Sequence, residues 1–377
     1  MRRVRRENPG VEILVTGCYA QRAPEELLAL PGVRWVVGNS HKAGIPEIVR
    51  DSRPSVEFHG ELLIGDITAQ REFLSAPVLD ASGDRTRPNL KIQDGCNNRC
   101  SFCIIPSVRG VSRSASADDV VNQVRDLAAR YREVVLSGIN LGRWGRDVGK
   151  PQEMRLFNLV RRLLDETAVD RLRLSSVEPM DYSDDLLRLM ASSDGRIAAH
   201  VHAPLQSGSD ATLKRMKRRY RARHYAQRLE TAYGFLPDAA FGADVMVGFP
   251  GETDAEFDES MRFIERMPFT YLHVFTYSER PGTPAADYDG HIPVPVRKER
   301  NRILRELAAA KNLAFRRRFV GRSLSAVTLD HGRALSSNYI SLEVTSGTPA
   351  NRLIDVAIGG LTESGLRERV LLPVLAL

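Results

Sequence analysis

The chain has 377 residues, with 54 Lys and Arg against 47 Asp and Glu for a formal net charge of +7, and is 42% hydrophobic and 27% charged. At roughly 100–200 residues per domain, that length leaves room for two or three domains. No apolar run approaches the ~20 residues that cross a bilayer, which excludes a membrane-spanning helical protein. Four cysteines in so long a chain argue against a disulfide framework, and three of them fall within eight residues, a clustering that suits metal binding.

The first nine residues are basic, like the start of a signal peptide, but the apolar stretch 11–15 behind them is too short for one. It reads as a buried strand, so the expectation is a cytoplasmic protein. Residues 1–75 hold at least one αβ unit: a basic helix, the strand 11–15, and a further strand 35–37 closed by Gly38. The polar stretch 81–88 reads as a linker.

From residue 85 to about 315, short apolar runs alternate with amphipathic helical patterns. The runs begin at Leu90, Val134, Leu172, His200, Ala243 and Tyr271, and give six expected strands. Between them, Val120, Val121, Val124 and Leu127 share one helical face, as do Phe257, Met261 and Ile264. Parallel strands joined by helical crossovers follow, and the expected fold class is α/β, a partial (β/α)6 barrel. In such barrels the chemistry sits on loops after the strands' C-terminal ends. The unusual polar residues fall there: the cysteines, Ser137 and Gly138, Glu178, Gln206 and Ser207, Asp244, and Glu252. By position alone each could equally serve a helix cap, with Ser209 and Thr253 as good candidates. A long basic helix over 296–319 comes next, and the alternating runs 324–329, 339–344 and 353–358 predict a small antiparallel β module in 318–377.

The spacing C-x3-C-x2-C of Cys96, Cys100 and Cys103, in a loop directly after a strand, offers three thiolates. A 4Fe-4S cube bound by three cysteines keeps one iron open to a small molecule. The plainer reading is a structural zinc site, which usually needs four ligands in two pairs, and here no second pair exists.

These residues resemble the radical S-adenosylmethionine (SAM) motif. The resemblance implies a 4Fe-4S cluster on Cys96, Cys100 and Cys103, SAM chelated to the open iron, and a 5′-deoxyadenosyl radical as the hydrogen-abstracting species. Within that class, the stretch 90–113, the motif Thr16-Gly-Cys-Tyr, and the runs 204–209 and 247–252 are similar to the methylthiotransferases, over nearly the whole chain. Runs 93–95, 136–142, 174–179 and 273–284 are most similar to the MtaB branch. That branch implies addition of a 2-methylthio group to N6-threonylcarbamoyladenosine at tRNA position 37, with a second SAM as methyl donor. Alternatives within the class are isopentenyladenosine in tRNA or a ribosomal-protein aspartate.

The same resemblance implies that Phe102 contacts adenine, that Ser137, Gly138, Gln206 and Asp244 line the SAM pocket, and that the C-terminal module is a TRAM-like RNA-binding domain. It also implies an electron donor such as flavodoxin or ferredoxin, and we expect a monomer. A second 4Fe-4S cluster in the family uses three cysteines of an N-terminal domain, and only the counterpart of Cys18 stands in this sequence. On that reading residues 1–75 are a truncated domain, and the chain binds SAM yet fails at thiolation, or is an idle RNA-binding remnant. Taken alone, Cys18 reads as a buried small hydrophobe. The dense basic runs 214–224 and 316–318, with Arg109 and Arg113 beside the cysteines, suggest a polyanionic partner, or equally a solvated basic helix. Tyr339 and the helix 296–319 are candidates to contact RNA, the plainer reading of Tyr339 being core.

Overall fold

A computed structural model describes residues 1–51, 60–75, 86–148, 155–345 and 347–369. Most of the expected linker 81–88 therefore lies outside the described residues. Among those described, no helix is long and apolar enough to cross a membrane. The chain divides into two compact units, which are treated in turn.

The first unit comprises Met1–Leu74 with Asp94–Arg99 and Cys103–Arg113. Helix α1 (Arg2–Glu7) leads into β1 (Ile13–Thr16), followed by α2 (Cys18–Arg22), α3 (Pro24–Leu28), β2 (Val33–Val37), α4 (Ile45–Asp51) and β3 (Glu61–Leu63). The strands form a parallel sheet in the order β1-β2-β3. Ala20, Leu27, Val33 and Val36 make its core, packed by Ile13, Val15, Leu28 and Ile64. The basic helix and the first two strands match the sequence reading. Strand β3 does not announce itself, because three residues are too few to show an alternation.

The second unit contains Ser75–Gln93, Cys100–Phe102 and Ser114–Leu377. Strand β4 (Asn89–Asp94) ends at the cysteine loop, which is followed by α5 (Ile105–Arg109) and the two-residue β5 (Arg113–Ser114). Then α6 (Ala117–Ala128), β6 (Glu133–Gly138), α7 (Leu156–Glu166), β7 (Arg171–Leu174), α8 (Asp184–Ala191) and β8 (His200–His202) continue the alternation. It runs on through α9 (Asp210–Arg215), α10 (Ala222–Phe235), β9 (Ala240–Val247), α11 (Asp254–Arg266) and β10 (Tyr271–Thr276).

Strands β4, β6 and β7 pair in parallel, as do β8, β9 and β10. The bridge from Leu172 to Ile197, and the Val177 N–H on His202 O (3.0 Å), carry the sheet from β7 to β8. All six expected strands are therefore present in chain order. Among the described residues β10 pairs only with β9, so the sheet is a partial barrel. Local sequence sets the crossovers. The Ser116 hydroxyl accepts from Asp119 N at the start of α6, whose Val120, Val121, Val124 and Leu127 are buried against the sheet. Thr253 and Glu256 close a capping box at the start of α11.

The 24-residue helix α12 (Val294–Arg317) then leads to β11 (Ser323–Leu329), β12 (Arg333–Ser336), β13 (Ser341–Glu343), β14 (Leu353–Leu361) and β15 (Leu366–Glu368). These close into a barrel in the order β11-β12-β13-β15-β14. The module is not wholly antiparallel as the sequence suggested. Strands β13 and β15 pair in parallel, which is how a five-strand barrel closes when one connection crosses over. Phe315 and Phe319 from the end of α12 sit in one buried cluster with Ala326, Leu342, Val356 and Ile358 of the barrel. Arg173 of β7 donates to Ser336 O and Ser337 O (both 3.1 Å), and Asn351 exchanges bonds with Arg132 N and Arg130 O, fixing the barrel to the sheet.

Candidate active site

The three clustered cysteines occupy the irregular segment between β4 and α5, and all four cysteines of the chain are thiols outside any disulfide, of intermediate exposure. Within the second unit the tripeptide Cys100–Phe102 is clamped at its centre. Ser101 N donates to Met216 O (3.1 Å), its hydroxyl donates to Arg215 O (2.8 Å), and Ala285 N donates to its carbonyl (2.9 Å). Phe102 stands edge-on to Phe249 at 6.4 Å, beside a buried group of Met216, Met246, Tyr277 and Ala285.

Arg218 donates to the Cys100 sulfur (3.4 Å) and to Glu178 Oε2 (2.5 Å), with its side chain only 5% exposed. It also meets the Tyr220 hydroxyl, whose proton is given to Pro204 O and Leu205 O. Burial pushes that hydroxyl well above its usual range, so it remains neutral. On the first unit's part of the loop, Asn98 N–H points at the Cys96 sulfur (3.4 Å), and Cys96 N donates to Gly110 O (3.1 Å). Thiols outside any disulfide, only partly buried and, at Cys96 and Cys100, offered N–H donors are the donor set an iron-sulfur cluster takes.

Cys18 lies at the start of α2 in the first unit. It is not packed as a small hydrophobe: its sulfur accepts from Arg109 Nε (3.0 Å), and Arg109 also pairs with Asp94 (3.3 Å).

At the ends of the strands, Gly138 is pressed against Gln93, whose atoms would sit 2.9–3.3 Å from an added Cβ. Gln93 Oε1 in turn accepts from Asn140 N (2.7 Å), which fixes the turn carrying Ser137. The Ser137 hydroxyl donates to Leu90 O (3.3 Å). Gln206 has a positive φ of 68°, and its N–H donates to Asp244 O (2.8 Å). The Gln206 Oε1 is buried with no hydrogen-bond partner among the described residues, an arrangement that favours a ligand. Glu252 is an anchor: buried, it accepts from Gly248 N (2.7 Å) and pairs with Arg300 (2.6 Å). Ser207 is likewise engaged inside the fold, with Ser260 (2.9 Å).

The sequence reading did not foresee the interior of the sheet. Alternation in β8 and β10 turns His200, His202, Tyr271 and His273 to one face, where they meet Asp244 of β9. Asp244 Oδ1 lies 3.2 Å from His273 Nδ1 and 3.5 Å from His202 Nε2. Burial opposes ionisation of Asp244, but these imidazoles prevail and hold its carboxyl well below the usual range. The Asp244 bond raises His273, whereas burial and Arg173 push His200 well below its ordinary value. The three donors lie within 4.8 Å of one another and are of the types that could hold a metal, and within the protein both imidazoles already approach the Asp244 carboxylate.

These residues border a cavity of about 400 Å³. Tyr339 of the C-terminal barrel stacks on His200 at 4.4 Å and forms part of its wall. Glu133, which pairs with two of the lining residues, is fully buried and takes two bonds from Arg173 (2.8 and 3.0 Å) and one from Arg87 (3.0 Å).

The basic runs are less free than their density suggests. Arg215 pairs with Glu256, Arg218 is buried, and Arg316 is spent on the carbonyls of Thr362, Glu363 and Gly365. Arg318 pairs with Asp238. Lys214, Lys217, Arg219, Arg221 and Arg223 remain exposed.

Residues 90–264 match the Radical SAM superfamily. The chain is 36% identical over 356 residues to the threonylcarbamoyladenosine tRNA methylthiotransferase MtaB of Aquifex aeolicus, covering 94% of this chain and 85% of that protein. It is 41% identical over 322 residues to the protein of the same name from Bacillus subtilis, covering 83% and 68%. To a tRNA-2-methylthio-N(6)-dimethylallyladenosine synthase of Thermobifida fusca it is 32% identical over 367 residues, covering 95% and 71%.

Proposed function

The chain belongs to the radical SAM methylthiotransferases, and on that premise we propose that it adds a methylthio group to C2 of N6-threonylcarbamoyladenosine in tRNA. The observation that carries this reading is the C-x3-C-x2-C run of cysteines after the first strand of a six-strand partial barrel, in a chain 36% and 41% identical to two proteins named for that reaction. Cys96, Cys100 and Cys103 would hold the 4Fe-4S cluster, which when bound would supply the electron for reductive cleavage of the SAM sulfonium. An electron donor such as flavodoxin or ferredoxin feeds it, in the cytoplasm.

Arg218 holds the Cys100 sulfur in place and offsets its charge. Phe102 places an aromatic face beside the cofactor's adenine, with Phe249 fixing its edge. Ser137 and Gly138 bring backbone close to SAM, Gly138 because no Cβ fits against Gln93. Gln206 and Asp244 present polar atoms to it, Gln206 through its otherwise unpartnered carbonyl. The closed C-terminal barrel grips the RNA.

Anaerobic reconstitution tests the chemistry. Iron bound at Cys96, Cys100 and Cys103, with SAM cleaved under dithionite, is expected, and alanine at any of the three should abolish both. Zinc in place of iron would overturn the reading. Nucleoside mass spectrometry of tRNA from a deletion strain tests the substrate: loss of 2-methylthio-N6-threonylcarbamoyladenosine is expected. Its persistence in a strain with no paralogue would refute the assignment.

A further inference from the structure

The cavity inside the sheet has the wrong chemistry for an apolar ligand. Two guanidiniums on its wall, Arg87 and Arg173, share a single carboxylate, Glu133, so positive charge is left over at that end of the void, while the wall's other carboxylate, Asp244, is engaged by His202 and His273. Buried polar atoms on the same wall also lack partners. Among the described residues the Ser175 hydroxyl and His200 Nδ1 have no hydrogen bond, and His202 Nε2 has only the 3.5 Å approach to Asp244. Such atoms are costly to bury unless a ligand satisfies them, at about 1–3 kcal/mol each.

The void of about 400 Å³ is within the range of small-ligand sites. It shares Arg87 and Asn89 with an adjoining cavity of about 570 Å³ that reaches Leu329, His331 and Arg333 of the C-terminal barrel.

We infer that this cavity receives the N6 arm of the modified adenosine, an anionic ureido arm whose carboxylate sits at Arg87 and Arg173 and whose N–H and C=O groups meet Asp244 and His273. The inference rests on the threonylcarbamoyladenosine reading above and adds the site that selects it. A threonylcarbamoyl arm brings a carboxylate, a hydroxyl and a ureido group to a wall of charged and hydrogen-bonding residues. A dimethylallyl arm brings only hydrocarbon, leaves every one of those groups unpaired, and is rejected for that reason.

The test measures equilibrium binding of synthetic anticodon stem-loops to the full chain with SAM present. Three loops differ only at the modified base: N6-threonylcarbamoyladenosine, its carboxamide, in which the charge is removed at constant shape, and N6-dimethylallyladenosine. The carboxamide is expected to bind about tenfold more weakly than the acid, and the dimethylallyl loop more weakly still. Arg87→Met should erase the preference for acid over carboxamide while leaving the dimethylallyl loop unchanged. Ser175→Ala, which removes no internal bond, should narrow the gap between the threonylcarbamoyl and dimethylallyl loops.

Acid and carboxamide bound alike by the wild type would overturn the inference, as would variants that weaken all three loops by one common factor. The carboxamide comparison alters only the ligand and so stands even where a variant fails to fold. Failure of the functional reading shows elsewhere: an acid loop bound through its carboxylate but never methylthiolated by the reconstituted enzyme sinks that reading and leaves the cavity's ligand class intact.

Discussion

The Arg218 guanidinium lies 3.4 Å from the Cys100 sulfur and 2.5 Å from a carboxylate oxygen of Glu178, so one buried cation joins a cysteine of the motif to the loop after β7. Removing it strips an N–H from the sulfur and leaves Glu178 without its partner. Arg218→Gln should cost about 1.5–3 kcal/mol of stability, as expected for a bond to a charged group. Because N–H donors to sulfur favour the reduced cluster, its reduction potential should also move to more negative values. Denaturant unfolding and an EPR-monitored redox titration read the two effects separately, and an unmoved potential would deny Arg218 any part in tuning the cluster.

Glu133 anchors two guanidiniums of the cavity wall, Arg173 and Arg87. Burial opposes its charge, but Arg173 and then Arg87 overcome that and hold the carboxyl below its ordinary value of 4.5. Glu133→Gln leaves buried guanidiniums uncompensated and should destabilise the chain by about 3–5 kcal/mol. The sign with pH follows from the lowered value. The wild type's advantage is fully present above pH 4.5 and shrinks as the pH falls through the depressed folded value. Chemical denaturation of both proteins across that range checks it, and a difference independent of pH would refute the ionic account.

The Asp244 and His273 pair predicts the opposite slope. His273 is raised above 6.5 by its hydrogen bond to Asp244, so its contribution is present below pH 6.5 and is lost as the pH climbs through the raised value. Asp244→Asn should return His273 toward 6.5, while His200, buried and facing Arg173, should titrate well below 6.5 in both proteins. Imidazole resonances followed by NMR distinguish the three cases.

Gly95 precedes the first motif cysteine with φ at 69°, and a Cβ there would lie 1.9 Å from Val111 O. Gly95→Ala should therefore strain the backbone by about 1–3 kcal/mol and lower the iron bound on reconstitution. Gly44→Ala, where an added Cβ meets nothing within 4 Å, serves as the control and should leave iron content unchanged.

The fold was legible because its signal is periodic. Runs of buried residues in β4, β6, β7 and β9, and the apolar faces of α6 and α11, repeat a pattern that a sequence displays openly. The cysteines were legible for another reason: their spacing is local. Glu133, Arg87 and Arg173 were not, since an ion pair 40 or 46 residues apart leaves no local trace and a strand-start Glu reads as solvated. Arg218 was hidden by its neighbours, because a basic run gives no hint which member turns inward. The pair His200 and His202 did carry a signal, two imidazoles at strand period, which a search for ligands only at strand ends passes over.

Helix α12, at 24 residues, is a rod of about 36 Å. Near one end Arg300 grips Glu252 and Asp254, and at the other Phe315 and Phe319 are embedded in the core of the C-terminal barrel. Arg300, Glu252 and both phenylalanines are buried, so the one helix ties the turn following β9 to the barrel's interior across that span, and the length of α12 sets the spacing between the two.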